Sequence, residues 1–179
     1  MKRTVVRYLV VVLGLSIAAF AAWSLAERVA AANTEAGRIE LNSDNSSPRQ
    51  IEDATHKNVI RDYGAAWQTL SRALYENHAE ALGAAFTGVA QDKLRSRIEA
   101  QEKTGTRVRM LDRAHKVKAI FYSPEGSAIQ LQDVADIEIE YLKGDDVIHR
   151  ENLQQKYLIL LTMAEGNWKI RLMEEVPEF

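Results

Sequence analysis

Three polar residues are predicted to lie on the apolar inner face of a β-sheet in the C-terminal half of the chain. Asp133 interrupts the odd-numbered apolar face of one strand, and Glu174 interrupts the even-numbered apolar face of the last strand. Turns at the segments GDD and EGN place Tyr157 directly opposite both of them. A carboxyl group that loses its water in such a place has a raised pKa, and a neighbouring tyrosine orients a polar substrate group. The pattern therefore suits small-molecule binding or acid–base chemistry of the isomerase kind.

The same three residues also fit a structural interpretation, which the sequence favours. A β-bulge at Asp133 and Val134 would turn Asp133 outward, and a slip of one residue in register would remove the alignment. Glu174 would then lie at the rim of the sheet, and the hydroxyl group of Tyr157 would face water. No catalytic motif accompanies the three residues.

A second candidate site is a basic segment at residues 91–118, where Lys and Arg outnumber acids. Such a patch binds an acidic partner or anionic lipid headgroups. The structural alternative is pairing across the sheet between lysines of the first long strand and acids of the second, with Glu140 opposite Arg150. Exposed pairs of this kind contribute only about 0–1 kcal/mol each. The predicted anionic-partner patch consists of Lys93, Arg97, Arg107 and Arg109.

Composition excludes several classes of site. The chain of 179 residues has no cysteine, which excludes disulfides, thiolate metal sites, a cysteine nucleophile and a lipid anchor on cysteine. The histidines are widely spaced, so we expect no metal site and no cofactor. His115 and His149 are expected to be structural or solvent-facing. A formal net charge of −2 gives no indication of a nucleic-acid partner, since such proteins usually carry a basic excess.

The N-terminal region predicts a membrane anchor. Residues 1–7 form a basic cytoplasmic tip, and the uncharged residues 8–26 would rise about 28 Å as a helix, close to the ~30 Å hydrocarbon core. The positive tip places the rest of the chain outside the inner membrane, in the periplasm or beyond it. A cleaved signal peptide is the alternative, with Ala19-Phe20-Ala21 or Ala30-Ala31-Ala32 as the cleavage site; the length of the apolar run favours the anchor. Residues 27–55 are polar and predict a linker.

Residues 56–179 predict a single α+β domain. Apolar residues recur at helical spacing across residues 59–74, and a second helix is predicted from about Val89 to Lys103. Trp67 and Phe86 are expected in the core. The expected fold is an N-terminal transmembrane helix, then helices packed on a curved, mainly four-stranded antiparallel sheet.

The predicted strands each alternate between apolar and polar residues, so one face of the sheet should be covered by the helices. Turn chemistry separates the strands at Pro124-Glu125-Gly126, Gly144-Asp145-Asp146 and Glu165-Gly166-Asn167. The alternation changes phase near Asp112–His115, which predicts a bulge or corner in the first long strand.

Helices followed by a curved antiparallel meander that ends in a Trp-Lys-Ile strand resemble the NTF2-like (cystatin-like cone) superfamily. The segments that carry this resemblance are AWQTLSRAL, FTGVAQDKLRSRIEAQEKTG and YLILLTMAEGNWKIRLMEE, all within about residues 56 to 179. The second segment looks most like the membrane-tethered C-terminal domain of cyanobacterial and plastid division proteins. The resemblance implies a cone in which a ligand would enter between sheet and helices. The superfamily contains enzymes and non-enzymes, so the fold alone does not assign an activity.

The leading functional prediction is a single-pass, membrane-anchored module that binds or scaffolds a protein partner in a bacterial cell-envelope complex, without catalysis. One alternative is a small-molecule-binding or isomerase-like cone that uses Asp133, Tyr157 and Glu174. Another is attachment of the basic helix to an anionic membrane surface. The resemblance also implies a homodimer through the outer face of the sheet, because superfamily members commonly associate in that way.

Overall fold

The computed structural model describes residues 37–44 and 46–179. The predicted cytoplasmic tip, residues 1–7, and the predicted anchor, residues 8–26, lie outside the described residues. Within the described part of the chain, no helix combines the length and the apolar character needed to cross a membrane.

Helices form the first layer of the domain. Helix α1 spans Asp53–Glu76, a short 3₁₀-helix spans Ala79–Ala84, and helix α2 spans Gly88–Lys103. The apolar residues of α1 recur every three or four positions, so one side of the helix is buried from Val59 to Leu74. Helix α2 begins within one residue of the start predicted for the second helix, Val89. The polypeptide leaves α1 through Asn77, whose left-handed backbone ends the helix.

Five strands form a single sheet in the order β1-β2-β3-β4-β5. Strand β1 pairs with β2 in parallel, and the other neighbours are antiparallel. The bounds are Arg38–Asn42 for β1, Thr106–Tyr122 for β2, Ala128–Lys143 for β3, Asp146–Ala164 for β4 and Asn167–Glu175 for β5.

The expectation of a mainly four-stranded antiparallel sheet is thus corrected to a five-stranded mixed sheet. The additional strand, β1, comes from the segment that composition predicts as a linker, residues 27–55. Its five residues, RIELN, hold only two apolar side chains, and so short an alternation carries little signal among polar residues. The paired backbone of β2 orders this segment.

Two of the four irregularities in the strand pairing determine which of the predicted site residues face each other. The register of β2 against β3 shifts between Asp112 and Ala114, which confirms the bulge expected there. The register of β4 against β5 shifts between Leu160 and Leu161, and no such shift was expected from the sequence. A bulge changes the residues that lie opposite one another beyond it.

The core lies between the concave face of the sheet and α1, the 3₁₀-helix and α2. Trp67 and Phe86 are both buried in it, as predicted. Phe86 also forms an isolated parallel bridge with Ile170 of β5. Asp62 of α1 accepts the backbone N–H of Trp168 at 2.9 Å. These contacts attach the helical layer to the last strand.

Replacing Phe86 with alanine should lower the free energy of unfolding by about 3–5 kcal/mol, because it leaves a cavity in a close-packed core. Urea denaturation followed by tryptophan fluorescence measures the effect. Val89→Ala is the matched control, since Val89 is 51% exposed and should change stability by about 0.5 kcal/mol or less. A Phe86→Ala variant as stable as Val89→Ala would contradict this account of the core.

Candidate functional site

The most strongly charged group of buried side chains in the cone centres on His115 of β2. Its Nδ1 lies 2.7 Å from Oδ2 of Asp133 on β3. Its Nε2 lies 2.8 Å from Oδ1 of Asp112, an ion-pair distance whose angle is poor for a hydrogen bond. The bulge after Asp112 brings that side chain to the same side of β2 as His115. His115 and Asp133 are both 0% exposed, so water does not screen these charges.

Two aromatic residues of α1 close the cluster from the helical side. The hydroxyl group of Tyr63 donates to Oδ2 of Asp133 at 2.7 Å. The ring of Trp67 lies 4.5 Å from the ring of His115, centre to centre. A cation close to an indole face is stabilised by the electrons of the ring. Tyr63 and Trp67 therefore provide a neutral wall around a charged centre.

The cluster fixes the protonation of its members. Burial alone would lower the pKa of His115, but contacts with the carboxylates of Asp112 and Asp133 outweigh it and raise that pKa to about 9. Burial, reinforced by the negative charge of Asp133, raises the pKa of Tyr63 well above its usual value. At neutral pH His115 is consequently an imidazolium between two carboxylates, hydrogen-bonded to Asp133 through Nδ1, and Tyr63 keeps its proton.

The chain just before β1 also contacts this cluster. The backbone N–H of Gly37 donates to Oδ2 of Asp112 at 3.0 Å. A Cβ atom at residue 37 would overlap the carboxylate of Asp112, so glycine allows the close approach of the backbone. Asp112 therefore joins β1, β2 and the buried imidazolium.

The structure brings together only part of the predicted inward-facing triad. Asp133 and Tyr157 lie directly opposite each other on β3 and β4, as the sequence predicts. Tyr157 is opposite Glu175 rather than Glu174, because the bulge between Leu160 and Leu161 shifts β5 by one residue. Glu174 instead forms an ion pair with Lys93 of α2. Asp133 is bound by Tyr63 and His115, which the triad did not include.

A cavity of about 160 Å³ opens between α1, α2 and the sheet. Most of its lining is aliphatic, and its polar groups come from Tyr157, Lys93, Arg97 and Glu175. Burial, followed by the charge of Glu175, raises the pKa of Tyr157 to about 12. At neutral pH Tyr157 is therefore a hydrogen-bond donor and not a base.

Trp67 is the boundary between the cavity and the charged cluster. It lines the cavity on one side and contacts Tyr157 and His115 through its ring. Neither His115 nor either of its two aspartates lines the cavity. A molecule in the cavity would meet the indole of Trp67 before it reached the imidazolium.

The four residues of the predicted anionic-partner patch occupy two separate places. Lys93 and Arg97 lie at the cavity, whereas the guanidinium groups of Arg107 and Arg109 lie 5.1 and 5.4 Å from the centre of the Tyr75 ring. Arg109 also donates to Glu140. The patch is therefore divided, and part of its charge is neutralised.

The ion pairs across strands on the outer face are made by arginines, whereas lysines of the first long strand were expected to pair with acids of the second. Arg113 pairs with Glu138, and Arg150 pairs with Glu140 as expected. Lys116 and Lys118 lie opposite Val134 and Gln132, because the bulge at Asp112 and Ala114 changes the register. Side-chain pairs of opposite charge stabilise neighbouring strands.

The 142 positions from 37 to 44 and from 46 to 179 include no group of three His, Asp or Glu side chains placed to hold a metal ion.

His115 was expected to be structural or solvent-facing, but its partners Asp112, Asp133 and Tyr63 were not foreseen. The change of phase near Asp112–His115 was the available signal, since it indicated that both residues could face one side.

The stability of the domain should fall as the pH rises from about 6.5 to about 9. The pKa of His115 is about 9 in the folded protein and about 6.5 in an unfolded chain. The stabilisation is therefore complete below pH 6.5 and is lost through pH 9, with a size on the order of 3 kcal/mol. Urea denaturation across this range measures it. His149→Asn should keep the slope, because His149 is exposed; a flat profile for the native chain would contradict a buried imidazolium.

Asp133→Asn should destabilise the fold by about 3 kcal/mol or more, since it removes one partner of a buried ion pair. It should also reduce the pH dependence above pH 6.5, because one of the carboxylates that raise the pKa of His115 is gone. Asp136→Asn is the control on the same strand, where the side chain is exposed. Equal stability of the two variants would show that the cluster does not hold the fold together.

Comparison with known proteins shows the fold. No protein-family model and no curated protein matches the sequence. The intermembrane space region of the chloroplast protein ARC6 is 13% identical, with a TM-score of 0.60 over 72% of this chain and 98% of that one. A scytalone dehydratase-like protein of Novosphingobium aromaticivorans is 15% identical, with a TM-score of 0.50 over 69% of this chain and 87% of that one. The described domain thus has the NTF2-like cone that the sequence predicts.

Proposed function

We propose that this chain is a non-catalytic protein-binding module of a cell-envelope complex. The observation that carries the proposal is the closed state of the charged cluster. His115 lies at ion-pair distance from Asp112 and Asp133, Tyr63 donates to Asp133, and Trp67 lies between this cluster and the cavity. An acid–base catalyst needs a titratable group within hydrogen-bond reach of its substrate. The strongest candidates for that role are instead used to hold α1, β2 and β3 together.

The likeness to ARC6 supports a role on the far side of a membrane from the cytoplasm. That region of ARC6 is named for an intermembrane space, and its TM-score of 0.60 exceeds the 0.50 of the dehydratase-like protein. Residues 8–26 supply the apolar stretch that would anchor the chain, and the basic residues before them favour a cytoplasmic N-terminus. The domain would then face the periplasm or the cell exterior.

A small-molecule-binding cone is the second candidate function. The cavity carries a tyrosine hydroxyl group and two cationic side chains, Lys93 and Arg97, which suit a small acid with an apolar portion. Its volume of about 160 Å³ is small beside the ~300–1,000 Å³ typical of ligand pockets. The protein-binding function is therefore preferred. Homodimerisation through the outer face of the sheet and attachment of α2 to anionic lipid stay predictions.

Photo-crosslinking in the native host tests the proposed function. A photoreactive amino acid placed at exposed positions of the domain, in the full chain, should give a reproducible crosslink to one polypeptide. Replacing residues 1–26 with an unrelated membrane anchor should preserve that crosslink, because the domain carries the binding surface. Mass spectrometry of the crosslinked peptides identifies the contact.

Two outcomes would contradict the proposal. The first is loss of every crosslink when only the anchor is exchanged, since the membrane segment would then carry the interaction. The second is recovery of the chain with a small molecule of constant mass that is absent from Tyr157→Phe, which removes a single hydroxyl group from the cavity. Native mass spectrometry of the detergent-solubilised chain distinguishes this second outcome.

A further inference from the structure

One side of strand β4 lacks a neighbouring strand over much of its length. Strand β5 pairs with β4 only from Tyr157 to Ala164, followed by one hydrogen bond from the N–H of Val176 to the carbonyl of Lys156. Residues 146–155 therefore pair with β3 on one side and with nothing among the described residues on the other. This edge is about ten residues long, or roughly 33 Å. Long unpaired edges are uncommon because they accept further strands.

The opposite side of the sheet is protected where β1 does not cover it. The hydroxyl group of Ser71 donates to the carbonyl of Met110, and the side chain of Asn77 donates to the carbonyl of Thr106. Side chains of the helical layer thus bind two carbonyl groups on this edge of β2. No side chain in the described part of the chain makes such a bond to the backbone of residues 146–155. The edge of β4 is the open one.

Ordinary protection of an edge is also weak along this segment. Residues 146–155 contain no proline. One bulge, at Ile148, interrupts the pairing of β3 with β4, which is regular from His149 to Thr162. The side chain of Arg150 is held against Glu138 and Glu140 on the outer face of the sheet. It is therefore directed along the sheet and does not shield the backbone at the edge.

The backbone groups that point outward can be identified from the bond to β5. The carbonyl of Lys156 faces β5, and the N–H and C=O groups of a strand residue point to the same side and alternate along the chain. Arg150, Asn152 and Gln154 therefore present their N–H and C=O groups at the free edge. The odd-numbered residues use theirs to pair with β3.

The side chains beside the edge indicate what kind of strand fits it. Glu151 and Leu153 share the concave face of β4 with Tyr157. Leu153 packs against the core. The carboxylate of Glu151 lies 3.9 Å from Nε2 of His149, a contact that is an ion pair only when the histidine is protonated. A cross-strand partner with an apolar residue opposite Leu153 and a Lys or Arg opposite Glu151 would satisfy both. In an antiparallel partner these two residues are separated by one position.

A second copy of this chain is a poor occupant of the edge. Two-fold symmetry through a sheet pairs residues of the same face, so a symmetric antiparallel register that uses the whole segment centres on Arg150 or on Glu151. Either centre places a residue directly opposite its own copy. Arginine would face arginine, or glutamate would face glutamate, and like charges directly opposite destabilise a strand pair.

We propose that residues 146–155 of β4 receive an extended segment of a different polypeptide, which adds to the sheet as an antiparallel sixth strand. The segment carries an apolar residue and, two positions later, a lysine or arginine. An open notch of about 310 Å³ between residues 154–156 of β4 and residues 175–177 at the end of β5 provides room where this strand would meet β5. The inference rests on the proposed protein-binding function and names its docking surface.

The test uses the full chain in detergent micelles and a labelled nine-residue peptide, TVTVTKTVT, blocked at both ends. Fluorescence anisotropy at low salt should show binding, and TVTVTETVT should bind about two- to five-fold more weakly, as expected for one cross-strand charge pair. Hydrogen exchange should show that the peptide protects the amides of Arg150, Asn152 and Gln154. The odd-numbered amides between them are already bonded to β3, so protection gained only at these alternate positions indicates a strand added at this edge.

Asn152→Pro should weaken binding about tenfold or more, because it removes a donor from the free edge while leaving the ladder with β3 intact. Asn152→Ala is the matched control, and its affinity should stay within about twofold. Glu151→Lys should reverse the preference between the two peptides, and this variant carries the test if Asn152→Pro does not fold. No binding of the lysine peptide, or unchanged binding to folded Asn152→Pro, overturns the proposal.

Failure of this inference can be told apart from failure of the proposed function. A native partner whose crosslinks map to the helices or to the outer face of the sheet would overturn the role of the edge while leaving protein binding in place. If the full chain gives no polypeptide crosslink in its host, the proposed function itself fails.

Discussion

The domain depends on a buried imidazolium held between two carboxylates. His115 is fully buried, so its charge is tolerable only because Asp112 and Asp133 lie on either side of it. The three residues come from β2 and β3, Tyr63 and Trp67 bring α1 to them, and Gly37 brings the chain before β1. One electrostatic arrangement therefore determines how the helix, the bulged strand and the parallel edge strand fit together.

This arrangement also limits what the cone can do. An enzyme of similar shape needs its acid or base to face the substrate, whereas here Trp67 separates the charged cluster from the cavity. Tyr157, which does line the cavity, has a pKa of about 12 and keeps its proton. Under the proposed function the interior serves stability, and the surfaces left for recognition are the outer face of the sheet and its edges. The unpaired edge of β4 is then the feature best suited to a protein partner.

Much of the fold follows from residue patterns, and the misses have local causes. Alternation and turn chemistry predicted four strands and placed Asp133 opposite Tyr157. Glu174 was wrongly predicted to lie opposite Tyr157, because no turn residue marks the bulge at Leu160 and Leu161 in the sequence. Strand β1 was missed because five polar-rich residues are ordered by β2 and not by their own pattern. Predicting the charged cluster requires both the bulge in β2 and the approach of α1. The sequence indicated only the bulge.

Nitrogen NMR of the His115 ring is the most direct test of this account. In the full chain labelled with ¹⁵N-histidine, His115 should show both ring nitrogens protonated at pH 7.5, with a transition only near pH 9. Assignment by His115→Gln, or by Asp133→Asn if the former does not fold, identifies the signal. A neutral ring at pH 7.5, with one nitrogen free of a proton, would contradict the buried ion pair and reopen an acid–base role for the interior of the cone.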